Sequence, residues 1–172
     1  MNEIIKKDND YKKWISEVSR RFKSSQIKAA IKANDEMIRF YWSLGHDMDE
    51  KKVTYSWGSH FYAQISADLK KELPDVKSFS PRNLLYMHQF YRLFPITQQL
   101  VSQNDIDNEI FMIPWGHIVQ IINKCKDDQE RALFYIHKTI ENNWSRAVLL
   151  NFLDTDLYER QGKVLFVTLH AS

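Results

Sequence analysis

Two short triplets, each a carboxylate, one spacer residue and a lysine, are the first candidates for chemistry in this sequence. They are Asp75-Val76-Lys77 and Asp10-Tyr11-Lys12. In metal-dependent nucleases such carboxylates hold Mg²⁺ and the lysine steadies the attacking water, which requires acids from neighbouring strands. One triplet lies in a predicted turn between helices and the other opens a predicted helix, and no sheet is predicted to bring the acids together. We therefore predict no catalytic residue in this chain.

The histidines and the cysteine do not form a predicted metal site. The six histidines include no His-x-x-x-His pair, and the single cysteine, Cys125, has no cysteine partner at zinc spacing. The sequence also has no phosphate-binding glycine loop and no serine nucleophile elbow. We predict no metal and no cofactor, and we interpret Cys125 as a small buried apolar residue.

The polar side of one predicted helix is the strongest candidate for binding. Ser80 can cap the helix and Pro81 suits its first position, while Pro95 closes the segment. An apolar stripe consists of Leu84, Met87, Tyr91 and Phe94. Helix–turn–helix proteins present the polar residues of such a second helix to DNA. The candidate DNA-binding residues are Lys77, Ser80, Arg82, Asn83, Tyr86, Gln89 and Arg92, with Arg146 from a second turn.

These residues have predicted roles in a DNA complex. Arg82 and Asn83 contact base edges or phosphates, and Lys77 and Arg92 flank them on phosphates. The connector 74–79 is longer than the usual turn of three or four residues, however, and any well-capped helix can display such a face.

An interaction module is the alternative prediction. The chain has 5 Trp, 8 Tyr and 10 Phe, more than a few amphipathic helices must bury, and surplus aromatic residues often form interfaces. In this interpretation the chain pairs with itself or joins a nuclease complex without touching nucleic acid.

Composition predicts an all-α protein of about seven helices. Of the 172 residues 44% are hydrophobic, and the sequence has only 4 Gly and 4 Pro, too few for the turns of a large sheet. The formal net charge of +2 does not by itself demand a nucleic-acid partner. The sequence has no long apolar run and no signal-peptide core, so we expect a soluble cytoplasmic protein that does not associate with membranes.

Apolar periodicity predicts where the helices begin and end. We predict a first helix over residues 8–22, a break at Ser24-Ser25, a second helix over 27–45 capped by Gly45, and a polar connector over 46–52. The helix–turn–helix-like unit follows over 57–94. Asn34 lies within the apolar stripe of the second helix, and a helix-packing role is favoured for its amide.

The later part of the chain is predicted to form a second helical subdomain. Pro114 begins one helix, Asp127 and Glu130 form a capping box for the next, and Ser145 caps the last. We predict an N-terminal subdomain over residues 1–101, a C-terminal subdomain over 109–162 and a tail over 163–172. The apolar stretch 164–169 is a possible lone strand, a partner contact or a disordered end.

Several motifs in order resemble the N-terminal domain of the bacterial YhcG family, also known as domain of unknown function 1016. They include Tyr41-Trp42 with Gly45, Trp57-Gly58, Phe79-Ser80 with Arg82-Asn83-Leu84, Pro114-Trp115-Gly116-His117, Trp144-Ser145-Arg146 and Leu157-Tyr158-Glu159-Arg160-Gln161-Gly162. The resemblance covers about residues 10–162. Ser78 departs from it, because relatives commonly have glycine before Phe-Ser.

The resemblance implies a role beside a nuclease. Complete members of the family are similar to PD-(D/E)xK nucleases in their C-terminal half, and their N-terminal domain is expected to recognise DNA or to mediate association. The catalytic half is expected to be absent here, so the resemblance transfers no catalytic residue. The ending after Gly162 is unlike the usual connection to a nuclease, which leaves a truncated gene or a natural stand-alone domain open.

Overall fold

The structure, a computed structural model, describes residues 9–55, 58, 60–95 and 108–162. Six α-helices and a final π-helical turn account for most of these residues, and no strand occurs among them. The elements are α1 (Asn9–Tyr55), α2 (Phe61–Glu72), α3 (Pro81–Leu93), α4 (Trp115–Cys125), α5 (Gln129–Asn142), α6 (Arg146–Asp154) and the π-helical turn (Tyr158–Gly162). The all-α prediction is confirmed.

Two predictions concern parts of the chain outside these ranges. The proposed strand over 164–169 lies outside the described residues, and so does most of the proposed boundary between subdomains near 102–108. The division into subdomains therefore stays a prediction. None of the described helices has a stretch of the length and hydrophobicity needed to cross a bilayer.

Helix α1 is continuous over 47 residues, which corrects three predictions. The break at Ser24-Ser25, the cap at Gly45 and the connector over 46–52 are all wrong, because each of these segments is helical. Serine costs only about 0.5 kcal/mol relative to alanine inside a helix, so two serines do not end one. At about 1.5 Å per residue α1 is about 70 Å long.

Gly45 lies in the C-terminal half of α1 at the point where α3 crosses it. A β-carbon added at Gly45 would meet the backbone oxygen of Met87, and would lie 2.9 Å from the Met87 carbonyl carbon and 3.0 Å from the Tyr91 β-carbon. The residue is glycine because the backbone of α3 occupies the space that a side chain would need. This packing role replaces the predicted cap.

The C-terminal half of α1 packs into the protein, whereas its N-terminal half does not. Ile38, Tyr41 and Met48 are buried in the core. The Asn34 amide donates to the backbone oxygen of Ile113 at 3.4 Å, in agreement with the favoured packing role. From residue 12 to residue 33 every side chain except Ser24 is exposed.

Helices α2 and α3 begin and end close to their predicted residues. Helix α2 ends at Glu72, just before Leu73 and Pro74, as expected for a residue that precedes proline. Ser80 caps α3, accepting a hydrogen bond from the Asn83 amide at 3.2 Å, and Pro81 occupies the first turn. Both predicted start signals of α3 are confirmed.

The remaining helices complete the core with α3. Ile118, Ile122 and Cys125 of α4 are buried, as are Ala132 and Ile136 of α5. Ser145 caps α6 as predicted, accepting from the Val148 amide at 3.3 Å.

The cap of α5 is Asp128, whose side chain accepts from the Arg131 amide at 3.0 Å. The predicted capping box of Asp127 and Glu130 is therefore wrong by one residue. Aspartate is a good cap at either position. Asp127 still belongs to the turn that ends α4, so Asp128 is the residue that caps α5.

Replacing Gly45 with alanine tests the crossing of α1 and α3. In an ordinary helix this change stabilises by about 1 kcal/mol, but here the added methyl group meets backbone, so we expect a loss of about 1–3 kcal/mol. Urea denaturation measures it. The control is Ser25→Ala in the exposed half of α1, which we expect to be neutral or to stabilise by about 0.5 kcal/mol; a stabilising Gly45→Ala would contradict the crossing.

The buried thiol of Cys125 gives a second prediction. Burial raises the pKa of Cys125 to about 12, so almost no thiolate exists at pH 8 and the native protein should react with a thiol reagent far more slowly than the chain unfolded in urea. Rapid modification of the native protein would show that Cys125 is accessible.

Candidate nucleic-acid interface

A network of hydrogen bonds fixes the N-terminal end of α3. The side-chain nitrogen of Asn83, Nδ2, donates to the Ser78 backbone oxygen at 2.6 Å. The side-chain oxygen, Oδ1, accepts from the Trp115 indole nitrogen at 2.7 Å. With the Ser80 cap, these contacts join the turn before α3, α3 itself and the start of α4. Ser80 and Asn83 were predicted as DNA ligands, but their polar groups already serve this end of the helix.

The outer side of α3 carries a row of polar and basic side chains. Arg82, Gln89 and Arg92 are exposed and Tyr86 is half-buried, at steps of three and four residues along the helix. We call Arg82, Tyr86, Gln89 and Arg92 the outer row. Ten residues separate its two arginines, which corresponds to about 15 Å along the helix.

Tyr86 links the outer row to α4. Hydrogen bonds donated by Asn123 and by Arg82 to the Tyr86 hydroxyl lower the pKa of this phenol. The Arg82 guanidinium donates to the Tyr86 hydroxyl at 3.4 Å and lies 5.8 Å from the centre of its ring. This pairing holds Arg82 near the helix surface without neutralising its charge.

A groove of about 400 Å³ runs between the outer row and the end of α4. It is lined by Gln89, Arg92, Ile122, Asn123, Lys126 and Asp127. Two lining cations, Arg92 and Lys126, outnumber the one carboxylate, Asp127. Sequence reasoning missed Asn123 and Lys126, because only the packing of α4 against α3 brings them to this row.

A chain of three side chains with buried His88 at its centre anchors the packed side of α3. The Tyr62 hydroxyl lies 2.6 Å from His88 Nδ1, and His88 Nε2 lies 2.6 Å from the Asp49 carboxylate. One neutral tautomer satisfies both contacts if the tyrosine donates to Nδ1 and Nε2 donates to the carboxylate. Burial raises the pKa of Tyr62. This chain ties α1, α2 and α3 together, so the buried side of α3 cannot turn outward without breaking it.

The other predicted cations lie near the N-terminal end of α3. Lys77 is exposed and, with Lys70, lines a depression beside Ser80 and Pro81. Arg146 is exposed and packs its side chain 3.3 Å from where a β-carbon of Gly116 would be. Gly116 follows Trp115, the partner of Asn83, so Arg146 belongs to the same end of α3. Lys70 was missed, although its position in the last turn of α2 was a usable signal.

One group on α1 has the donor atoms for a cation. His46, Asp47 and Glu50 each place a ligand atom within 4.8 Å of the others. His46 is 3.7 Å from the Asp47 carboxylate and 3.5 Å from that of Glu50, and both acids are exposed. These are ordinary surface ion pairs of a helix, and the absence of a metal site stays a prediction.

Comparison with known proteins identifies a family. The sequence model described as the DUF1016 N-terminal domain matches residues 17–160. No curated protein matches the chain, and no solved structure does.

Replacing Asn83 tests its role at the end of α3. Asn83→Ala removes the acceptor of the Trp115 indole and the donor to Ser78, so we expect a loss of about 1–3 kcal/mol of unfolding free energy. Asn83→Asp keeps the acceptor and should lose less. Gln89→Ala, an exposed change on the same helix, should stay within about 0.5 kcal/mol; an equally small effect of Asn83→Ala would refute the positioning role.

Proposed function

This chain belongs to the DUF1016 N-terminal domain family, and we propose that it is a DNA-binding module of a bacterial, cytoplasmic, nuclease-like protein. The observation that carries the proposal is the outer row of α3. Its two arginines are exposed, and in the described part of the chain neither forms an ion pair with a carboxylate. Their charges are therefore available to a polyanion.

The chemistry of the outer row suits duplex DNA. Arginine contacts guanine edges or phosphates, and glutamine contacts adenine through its amide. The row is about 15 Å long, which is comparable with the width of the major groove, about 12 Å. Tyr86 and Asn123 add hydrogen-bonding groups at its centre.

The surrounding cations supply contacts to the backbone. Lys126 flanks the groove beside the outer row, and Lys77 and Arg146 lie near the N-terminal end of α3. Asn83 and Ser80 position the helix and act on DNA only through it. Eight residues, 73–80, separate α2 from α3, whereas a strict helix–turn–helix has a turn of about three or four. The proposal rests on the outer row and does not need that motif.

Local charge decides the affinity in this proposal. The whole chain has a formal charge of only +2, so long-range attraction is weak and binding rests on a few phosphate contacts. About four such contacts predict a slope of about −3.6 for log K against log salt. A slope of this size corresponds to a small number of phosphate contacts, whereas a highly basic protein that covers more of the duplex would give a steeper one.

We propose binding without catalysis by this chain. Asp75-Val76-Lys77 lies in the connector between α2 and α3, and Asp10-Tyr11-Lys12 lies in the first turns of α1. Neither triplet has a neighbouring strand among the described residues to supply a second metal-binding acid. The burial that raises the pKa of Cys125 to about 12 also makes this thiol a poor nucleophile.

A second candidate function, association with protein, is favoured by a different observation. The N-terminal half of α1 exposes several large apolar side chains, whereas α3 exposes mostly polar ones. The two functions use separate surfaces and are compatible.

The double variant Arg82→Ala, Arg92→Ala tests the DNA proposal. We expect weaker binding to a fluorescent duplex and a salt slope reduced in magnitude by about 1.8, because two fewer counterions are released. Anisotropy titrations at several salt concentrations between 50 and 200 mM measure both.

The matched control is Lys12→Ala, Lys23→Ala, which removes the same charge from exposed positions on α1. It should leave the slope within about 0.5 of the unmodified protein. A control that changes the slope as much as the α3 variant would move the interface to α1, and an unchanged slope in both would refute the proposal.

A further inference from the structure

The N-terminal half of α1 carries an apolar stripe that the described part of the protein leaves exposed. Trp14 is 56% exposed, Ile15 43%, Val18 36% and Phe22 62%. Tyr11 lies on the same face, with its ring 6.1 Å from that of Trp14. The steps of three and four residues place these side chains along one side of the helix.

A row of charges follows one edge of this stripe. Asp10 and Glu17 come first, and Arg21 and Lys28 follow, at steps of seven, four and seven residues. All four are exposed. The edge is therefore acidic in its first half and basic in its second.

We propose that this stripe binds the same stripe of a second copy of the chain, with the two α1 helices antiparallel. The two-fold axis passes near Val18 and Ser19. This arrangement places Asp10 opposite Lys28 of the other copy and Glu17 opposite Arg21, and each pair occurs twice. In a parallel two-fold pair the charged edges of the two helices would lie on opposite sides of the interface, so neither of these ion pairs could form.

The remaining charges of this half are compatible with self-pairing. Lys13, Arg20 and Lys23 lie on the side of the helix away from the stripe, and Lys12 lies along its other edge, by their helical positions. They would face solvent in the pair, so their mutual repulsion is screened. Glu17 is bound to Arg20 of its own helix at 2.6 Å, an exposed contact that exchanges at little cost.

The dimensions of the protein allow the pair to form. The packed part of α1 begins at Asn34, about 15 residues and so about 23 Å from the proposed axis. The two helical bodies would therefore lie at opposite ends of the paired segment. Because each copy contributes only about five large apolar side chains, the interface is near the lower size limit of about 1,000 Å² and the association should be weak.

Sedimentation equilibrium of the full chain tests the proposal. The apparent mass should rise with concentration from 20.6 kDa towards twice that value. Val18→Lys, at the axis, buries two like charges per dimer and should raise the dissociation constant about tenfold or more. The control Ser16→Lys adds the same charge to an exposed position away from the stripe and should change the constant little, with the helical circular dichroism of both variants unchanged.

A charge-exchange cycle tests the antiparallel register. Asp10→Lys and Lys28→Asp should each weaken the dimer about threefold to tenfold, and the double variant should regain most of the loss. Residues 10 and 28 are about 27 Å apart on one helix, so they can couple only across the interface. Any effect of Asp10→Lys on the helix terminus is present in both the single and the double variant, so it cancels in the interaction energy of the cycle.

Three results would overturn the proposal. A mass of 20.6 kDa at all concentrations would mean that the stripe does not bind a second copy of the chain. A dimer insensitive to Val18→Lys would place the interface elsewhere. Additive effects of the two charge changes would exclude the antiparallel register.

Discussion

The close approach of α1 and α3 at Gly45 is the constraint on which the described structure depends. No side chain separates the two helices at this point, because the Met87 carbonyl occupies the position of the missing β-carbon. Leu84, Met87 and Phe90 are consequently buried on the inner side of α3. Once this side is fixed, Arg82, Gln89 and Arg92 can only face outward.

Polar contacts at the first turn and in the middle of α3 reinforce the same orientation. Asn83 connects its first turn to Ser78 and to Trp115, and His88 connects its middle to Tyr62 and Asp49. The contacts with Trp115, Tyr62 and Asp49 join residues at least 26 positions apart in the chain, so they disfavour alternative packings of an otherwise amphipathic helix. The surface proposed to meet DNA is therefore rigid, as a binding surface should be.

Local signals in the sequence were sufficient for the starts of α3 and α6 but not for the continuity of α1. Ser80 with Pro81 and Ser145 are caps that depend on neighbouring residues alone, and they were predicted correctly. Glycine can end a helix, and it can also let two helices pack closely. The sequence alone does not show which role applies, because that depends on the backbone that faces the glycine in the folded protein. Gly45 was therefore misinterpreted, and the serines at 24 and 25 were given too much weight. The contact of Asn83 with Trp115 could not be predicted, because the two residues lie 32 positions apart in the sequence, and Lys126 was missed for the same reason.

We propose that the outer row of α3 is the surface that meets DNA, and amide chemical-shift mapping of the labelled protein with a short duplex would locate that surface. We expect the perturbed amides to cluster in residues 82–92 of α3 and 123–126 at the end of α4, and the inner side of α1 around Gly45 to be unaffected. Perturbations confined to residues 9–33, or none at a saturating duplex concentration, would contradict it.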